Sequence, residues 1–313
     1  MAGPGDLTVR RPAWDDLPAA LAVLQAADCA LLGESDWTEA GLWEEWQELD
    51  LDEDVWLVDL DGRLAGVASL TDRGGGRFVA DGYVRPELRG RGVGSLLIRL
   101  TEARAGELAR SVEADRVYLQ NATIEPDAAP LYDARGYAPV RHFWRMVMEL
   151  DSAPAPVVPD GVVIRNYREP DERRDVHETL QSAFADHWES RPRPFDEWSK
   201  RVFERDGFDP TLLWVAEAAG ELAGAIDADD SHVAGDWGYI PTVGVLRSQR
   251  RRGIAEALLL TAFAELQRRG ETRVALGVDA QSPTGATRLY EKVGMRVFFE
   301  AIVYEKELDG SDK

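Results

Sequence analysis

The chain has 313 residues, of which 44% are hydrophobic and 30% are charged, a composition typical of globular proteins and a length suited to two domains of about 150 residues each. Its formal net charge of −21 argues against binding to nucleic acid, whose affinity comes largely from Lys and Arg on phosphates. A cationic small molecule or a basic peptide suits this charge better. No apolar run approaches the roughly 20 residues that span a bilayer, and the N-terminus lacks the pattern of a signal peptide, so we expect a cytoplasmic protein with no membrane partner.

The first half of the chain has the pattern of a mixed α/β domain. Apolar periodicity predicts strands at residues 7–11, 55–60, 64–70, 78–84, 116–119 and 143–150, and helices at residues 15–30, 38–49, 92–109 and in a short segment ending near residue 135. The second and third strands flank Asp61-Gly62, a residue pair that favours a tight hairpin turn.

A proline-rich segment at residues 151–160 follows, and its prolines make helix or sheet pairing unfavourable. The same order of elements then recurs, with strands at residues 162–167, 212–216, 222–226, 239–246, 273–278 and 298–308 and helices at residues 171–185, 254–269 and 284–293. The sequence therefore predicts two tandem domains, at residues 1–150 and 161–313, joined by a linker at residues 151–160.

Two short motifs recur in the same order in both halves. The stretch VRPELRGRG at residues 84–92 is matched by VLRSQRRRG at residues 245–253, and LYDARGY at residues 131–137 is matched by LYEKVGM at residues 289–295. Two ordered matches at nearly the same offset indicate a duplicated domain.

The first of these motifs has the features of an anion-binding bend. Glycines without a Cβ let backbone N–H groups approach a ligand, and the helix that follows adds the partial positive charge of its N-terminus. Arg89 and Arg91 add charge-assisted hydrogen bonds to such a site. The chain has no G-x-x-x-x-G-K-[ST] motif, and Gly90, Gly92 and Gly94 lack the G-x-G-x-x-G spacing, which argues against a nucleoside triphosphatase and a dehydrogenase.

A basic glycine bend between a strand and a helix, followed by L-Y-x-x-x-G, resembles the GNAT superfamily of N-acetyltransferases, and this chain resembles it in both halves. The resemblance implies an α/β fold with a mixed α+β sheet, two GNAT domains, and acetyl-CoA as cosubstrate, its pyrophosphate held by the bend. The implied cofactor contacts are Val84, Arg89, Gly90, Arg91, Gly92, Val93, Gly94 and Asn121 in the first half, and Val245, Arg250, Arg251, Arg252, Gly253, Ile254 and Ala255 in the second.

The resemblance also implies catalytic residues. It assigns the proton for the departing thiolate to the tyrosine of L-Y-x-x-x-G, here Tyr132 and Tyr290, and the oxyanion to strand N–H groups around Val84 and Val245. The segment 281–286 is similar to the family's N-P-x-x-A, with Ser282 in place of Asn, which weakens one implied contact.

The general base differs between the halves. Asp81 stands where many family members carry an acidic base, whereas the aligned Thr242 cannot serve. The second half would then need Asp236, Glu189 or a bound water. We expect both halves to bind coenzyme A, with catalysis better supported in the first half by Asp81.

The acceptor side is less defined by the sequence. His187-Trp188 lies in an irregular segment that lines the acceptor side in this family, and packing is an equal alternative for it. The acidic run at residues 44–54 is interpreted as a solvated face, with a lip that attracts a cationic acceptor as the alternative. Four scattered histidines without H-E-x-x-H do not predict a metal site.

The resemblance thus implies an enzyme that transfers an acetyl group from acetyl-CoA to a primary amine, expected to belong to a small molecule, by direct attack in a ternary complex. Two alternatives stay open: an acetyltransferase similar to mycothiol synthase, and a noncatalytic coenzyme A-binding protein. Either a monomer or a homodimer is compatible with the sequence.

Overall fold

The structure, a computed structural model, describes residues 6–308 except residues 189, 206 and 232–236. Its strands in this range are β1 (Leu7–Arg10), β2 (Val55–Leu60), β3 (Arg63–Asp72), β4 (Arg77–Val84), β5 (Val117–Thr123), β6 (Ala138–Glu149), β7 (Val162–Asn166), β8 (Leu213–Ala218), β9 (Glu221–Asp229), β10 (Trp237–Val245), β11 (Arg273–Asp279) and β12 (Arg296–Leu308). Its α-helices are α1 (Leu17–Leu32), α2 (Glu39–Gln47), α3 (Val93–Ala109), α4 (Ala129–Asp133), α5 (Arg173–Phe184), α6 (Phe195–Phe203), α7 (Ile254–Arg269) and α8 (Ala286–Lys292).

The chain forms two compact units that differ from the predicted division into residues 1–150 and 161–313. The described part of unit 1 comprises residues 6–142 and 301–308, and unit 2 spans residues 143–300. The physical reason is strand pairing, because β6 pairs with β11 in unit 2 while the last residues of β12 pair with β5 in unit 1. The predicted linker at residues 151–160 accordingly lies inside unit 2.

Unit 1 is a mixed sheet with the strand order β1-β2-β3-β4-β5-β12. Only the β4–β5 pair is parallel among the ladders described in this unit, and its pairing covers Arg77–Ala80 against Tyr118–Asn121. Helix α3 covers one face through a core that includes Phe78 and Leu119, and α1 and α2 cover the other. Beyond Ala80, β4 continues with a partner only on its β3 side.

Unit 2 repeats this plan with the strand order β6-β11-β10-β9-β8-β7. The β10–β11 pair is again parallel and covers Trp237–Tyr239 against Arg273–Ala275, after which the two strands diverge. Helix α7 packs on one face through residues such as Leu258 and Phe263, and α5 packs on the other. The predicted α/β class with a mixed sheet is confirmed.

The tight hairpin turns occupy equivalent positions in the two units. Asp61 and Gly62 have φ values of 54° and 78°, and Ala219 and Gly220 have φ values of 56° and 85°. Two successive positive φ angles are the requirement of the turn that matches the twist of a hairpin. The predicted turn at Asp61-Gly62 therefore forms where the sequence placed it.

Helix α6 lies in a segment for which the sequence pattern predicts no helix. Its residues Trp198 and Phe203 are buried against α5 and β8 in one aromatic and aliphatic core. The duplication carried the missing signal, because α6 occupies the place of α2 in the second copy. No helix in the described part of the chain is long and apolar enough to cross a membrane.

Candidate functional site

The diverging parallel strands open a cleft in each unit, next to the bend that follows β4 or β10. In unit 2 the cleft holds a cavity of about 610 Å³. Its walls include Val243 on β10, Gly253 and Ile254 in the bend and the start of α7, Asp279 at the end of β11, and Tyr290 on α8. The cavity therefore connects the second copy of the bend with the second predicted catalytic tyrosine.

Both bends adopt the same backbone conformation. In unit 1 Gly90 and Gly92 have φ values of 72° and 91°, and in unit 2 Arg251 and Gly253 have φ values of 64° and 80°. Left-handed residues alternating with right-handed or extended ones turn successive N–H groups toward one side and create an anion-binding concavity. The second copy keeps this shape although an arginine occupies the first left-handed position, where L side chains are strained.

The helices after the bends are anchored by their first residues. Val93 and Ile254 are each 1% exposed and pack into the cores of units 1 and 2, so only their backbone can face a ligand in the cleft. A Cβ on Gly94 would make an ordinary van der Waals contact, 3.4 Å from Cδ2 of Leu131. Its counterpart Ala255 lines the cavity of unit 2.

The first arginine of the motif makes different contacts in the two units. In unit 2 the Arg250 guanidinium donates to the carbonyl oxygens of Val245 (3.2 Å) and Ala183 (2.9 Å) and pairs with Asp186 (3.1 Å). These contacts tie the end of β10 to the end of α5. The contact of Arg250 with phosphate stays a prediction, and in this structure its side chain holds β10 and α5 together.

In unit 1 the corresponding Arg89 pairs with Glu125 at 2.8 Å. Arg89 lies in the bend after β4 and Glu125 lies just beyond β5, so the ion pair joins the two edges of the cleft. Arg91 pairs with Asp61 at 2.9 Å. Both cations of this bend face carboxylates. In unit 2, by contrast, Arg251 and Arg252 are exposed.

The two predicted catalytic tyrosines are both buried. Tyr290 is 7% exposed, and burial raises its pKa to about 12. Tyr132 stacks on Tyr304 with ring centroids 4.7 Å apart, and burial, with Asp81 adding to the effect, holds its pKa well above the usual 10. Both phenols are therefore protonated at neutral pH, as a proton donor must be.

The strand ends beside the tyrosines carry different side chains. Asn121 in β5 is 4% exposed and lies opposite Tyr304, next to Tyr137. Val84 is partly buried against the core of unit 1, and Val245 is 8% exposed in unit 2. The residue that aligns with Asn121 through the second repeat is Asp279, which the sequence analysis overlooked.

Unit 1 has a cluster of carboxylates on the α2 side of its cleft. Asp81 on β4 lies opposite Ser69 on β3, and the Ser69 hydroxyl donates to Glu45 of α2 at 3.3 Å. Burial raises the pKa of Glu45 to about 7, with the charge of Asp81 adding to the shift, and burial raises the pKa of Asp81 as well. Asp81 is the base predicted from the sequence, whereas the interpretation of Glu45 as part of a solvated face is wrong.

At the equivalent place in unit 2, the carboxylate is paired with an arginine. Thr242, which aligns with Asp81, lies opposite Asp227 on β9. Asp227 is 4% exposed and accepts two hydrogen bonds from Arg205, at 2.8 and 3.1 Å. The other predicted candidates for a base in this half, Glu189 and Asp236, lie outside the described residues.

One histidine lines the cavity of unit 2. His187 follows α5, and its ring centroid lies 4.4 Å from that of Phe184. Burial lowers the pKa of His187, with Arg250 acting in the same direction and Asp279 and Asp186 opposing it. Within the described range, no group of three or more His, Cys, Asp or Glu side chains could hold a metal ion.

Comparisons with known proteins agree with the duplicated architecture. The model of the acetyltransferase (GNAT) family matches twice, at residues 21–137 and 174–295. The chain is 33% identical to the mycothiol acetyltransferase of Thermobispora bispora over 259 residues, which is 80% of this chain and 83% of that protein. It is 30% identical to the mycothiol acetyltransferase of Nocardia farcinica over 253 residues, 76% of this chain and 78% of that protein.

Among solved structures, a GCN5-related N-acetyltransferase from Sphaerobacter thermophilus is similar over 98% of both chains, with 31% identity and a TM-score of 0.85. A tandem GNAT protein from the clavulanic acid biosynthesis pathway covers 98% of this chain and 100% of its own, with a TM-score of 0.73 and 17% identity, which shows the fold alone. The predicted tandem arrangement and family resemblance are confirmed.

Proposed function

The chain belongs to the acetyltransferase (GNAT) family and is an acetyl-CoA-dependent N-acetyltransferase, and we propose that its unit 2 transfers the acetyl group to a primary amine of a small molecule. The observation that carries this proposal is the cavity of about 610 Å³ that runs from the bend at residues 250–255 to Tyr290. Its volume lies within the range of roughly 300–1,000 Å³ that is usual for ligand sites. This differs from the expectation that unit 1 is the better supported catalytic half.

The residues of unit 2 fit acetyl-CoA, which supplies an activated acetyl thioester. The left-handed residues Arg251 and Gly253 direct backbone N–H groups toward one concavity at the start of α7, where Ile254 and Ala255 follow. The exposed guanidinium groups of Arg251 and Arg252 stand beside that concavity and suit the pyrophosphate. Arg250 contributes indirectly, by holding the end of β10 in place.

The chemistry of the transfer then falls to two parts of this unit. The pairing of β10 with β11 ends at Tyr239, so backbone N–H groups between there and Val245 are available to the oxyanion of the thioester carbonyl. Tyr290 is protonated at neutral pH, because burial raises its pKa, and it donates a proton to the leaving sulfur. Asp81 and Tyr132 have no part in this proposal for unit 2.

Unit 1 is proposed to retain a second, weaker coenzyme A site. Its bend has the same backbone conformation, and Val84, Gly90, Gly92 and Asn121 occupy equivalent places along the cleft. The weaker affinity is expected because the ion pair between Arg89 and Glu125 must open before a pyrophosphate can take its place.

The acceptor is a cationic amine on the grounds of charge, since the formal net charge of the chain is −21. The relatives at about 30% identity are named mycothiol acetyltransferases, so the amine precursor of mycothiol is the second candidate acceptor. A cytoplasmic location, no nucleic-acid partner, and a monomer or homodimer stay as predictions from the sequence.

A matched pair of tyrosine variants tests the proposal. Release of free coenzyme A from acetyl-CoA is measured with spermidine, tyramine, glucosamine, kanamycin and the amine precursor of mycothiol. With the fastest of these amines, Tyr290→Phe is expected to lower kcat by about 100-fold, the usual worth of a general acid, while Tyr132→Phe leaves kcat within about 3-fold. Calorimetry is expected to show acetyl-CoA affinity unchanged in both variants.

Two results would overturn the proposed function of unit 2. A loss of turnover with Tyr132→Phe and not with Tyr290→Phe would move the reaction to unit 1. Binding of acetyl-CoA without coenzyme A release for any amine of the panel would favour the noncatalytic alternative.

A further inference from the structure

We infer that His187 is the general base of unit 2, accepting a proton from the acceptor ammonium at the mouth of the cavity. The inference rests on the proposed function, because it concerns the same cavity and the same transfer. Unit 2 needs a general base because Thr242 stands where unit 1 has Asp81. The candidates from the sequence are Glu189, Asp236 and a bound water, and His187 is a further one.

The position of His187 comes from the end of α5. Its backbone N–H donates to the carbonyl of Phe184 at 2.9 Å, and its ring packs on the Phe184 ring. Phe184 in turn covers β10, because a Cβ on Gly244 would lie 3.1 Å from Cε2 of Phe184. The imidazole therefore sits beside the part of β10 that has already diverged from β11.

A residue on the opposite edge of the cleft also affects the pKa of His187. Asp279 is the last residue of β11 and lies close enough for its charge to oppose the lowering of the His187 pKa. The imidazole is thus placed between the two strand ends that bound the cavity. Phe143 of β6 lines the same cavity and packs against Trp188, with ring centroids 6.0 Å apart, which fixes the segment that carries His187.

A comparison with His177 on α5 separates a functional from a packing histidine. His177 lies between Phe195 and Trp198, and its Nε2 is 2.8 Å from the carbonyl oxygen of Arg193. His187 lines the cavity instead, and its ring nitrogens have no hydrogen-bond partner among the residues that the structure describes. An imidazole without such a bond has a lone pair to offer to a ligand in the cavity.

Three other acids near the cleft, among the residues that the structure describes, have hydrogen-bond or ion-pair partners. Asp227 accepts two hydrogen bonds from Arg205, and Asp186 pairs with Arg250. Asp279 accepts from the backbone N–H of Gln281 at 2.9 Å. Since burial and the Arg250 charge lower the pKa of His187 while Asp279 and Asp186 oppose this, the ring is neutral at pH 7 and ready to accept a proton.

The proton balance of the transfer follows from these roles. An acceptor ammonium loses one proton to His187, which frees the nitrogen lone pair to form the new C–N bond. As the C–S bond breaks, the sulfur takes the proton of Tyr290, and the phenol regains a proton from the same nitrogen. The products are the amide and the free thiol, and His187 returns its proton to solvent.

The test uses the full chain and the fastest amine of the panel. His187→Gln is expected to lower kcat/KM for the amine by about 100-fold, the usual worth of a general base. The parent enzyme is expected to lose activity as pH falls through the lowered pKa of His187, and this acidic limb is expected to disappear in the variant. Acetyl-CoA affinity by calorimetry and the melting temperature are expected to stay unchanged, and His177→Gln is the control that loses stability without losing the acidic limb.

A second readout does not depend on activity. Titration of the histidine ring carbons by NMR in the free protein, assigned with His187→Gln, is expected to give His187 a midpoint below the ordinary 6.5. If His187→Gln keeps both its rate and its acidic limb while Tyr290→Phe is inactive, the base assignment fails and the proposed function stands. If Tyr290→Phe is fully active, the proposed function fails whatever His187 does.

Discussion

The two clefts have bends with the same backbone conformation, and they differ in the side chains that border them. In unit 1 the arginine of the bend crosses to Glu125 on the far edge, whereas in unit 2 Arg250 turns back to α5 and leaves the cavity open toward Tyr290. The same duplicated fold thus holds one cleft that is bridged by an ion pair and one that is lined for a ligand. Duplication preserved the shape of the bend, and side-chain divergence separated the roles.

The acceptor sides differ in the same way. Unit 1 places Asp81 and Glu45 together; burial raises the pKa of both carboxyl groups, and the charge of Asp81 adds to the shift of Glu45. Unit 2 has Thr242 in place of Asp81, balances Asp227 with Arg205, and presents a histidine. A carboxylate pair and an imidazole are two ways to have a proton acceptor that titrates near neutral pH.

The largest expected effect comes from a negative charge in the bend of unit 2, compared with the same change in the bend of unit 1. Gly253→Glu places a carboxylate and a side chain at a φ of 80°, where the pyrophosphate is proposed to bind, and is expected to reduce turnover by about 100-fold or more, equivalent to about 2.7 kcal/mol. Gly92→Glu makes the same change at a φ of 91° in unit 1 and is expected to leave turnover nearly unchanged while removing the weaker site from a calorimetric titration.

Equal losses of turnover from the two bend variants would show that the clefts do not differ in function. The melting temperature of each variant serves as the control for folding, since both substitutions place a side chain at a positive φ and a Cβ on Gly253 would also lie 3.3 Å from Cγ of Pro159.

A smaller effect is expected from two equivalent glycines that pass close to a neighbouring element. A Cβ on Gly66 would lie 2.6 Å from Cγ1 of Val93, and a Cβ on Gly224 would lie 2.6 Å from the backbone oxygen of Gly244. Alanine at either position is expected to cost about 1–3 kcal/mol of unfolding free energy, with Gly224→Ala the more costly, because a strand backbone yields less than a side chain. Urea denaturation measures both.

Gly106→Ala is the matched control for these substitutions. It lies within α3, and a Cβ there meets nothing within 4 Å. Alanine is expected to raise stability by about 0.5–1 kcal/mol, because it favours the helix. A destabilisation by Gly106→Ala as large as that by Gly66→Ala would contradict the packing argument.

The smallest effect concerns pH and the carboxylates of unit 1. The pKa of Glu45 is raised from 4.5 to about 7, so the folded protein binds a proton that the unfolded chain releases between these values. The stability from this group is therefore complete below pH 4.5 and is lost as pH rises through 7. Glu45→Gln is expected to melt a few degrees higher than the parent at pH 8, with a smaller gap at pH 5.

Scanning calorimetry at the two pH values measures this gap, and Glu44→Gln on the exposed side of the same helix is the control. A gap of the same size at both pH values would mean that Glu45 is not held protonated by its surroundings.

The sequence by itself determined the local elements, the duplication and the bends. Alternation and periodicity placed the strands and most helices, because burial of one face imposes those periods on the residues. The Asp61-Gly62 turn and the left-handed glycines of the bend followed from backbone sterics alone. Tyr132 and Tyr290 were found through their repeated motif, which needs no distance between residues.

Only the tertiary structure decided how strands are shared and which polar groups meet. At the end of β12, Leu308 pairs with Val117 of β5, and no local pattern reveals a partner so far along the chain. The meeting of Glu45 with Asp81, and of His187 with the ends of β10 and β11, likewise depends on contacts between separate elements. Burial and charge at such contacts set the pKa values, and these are properties of the folded arrangement rather than of any segment.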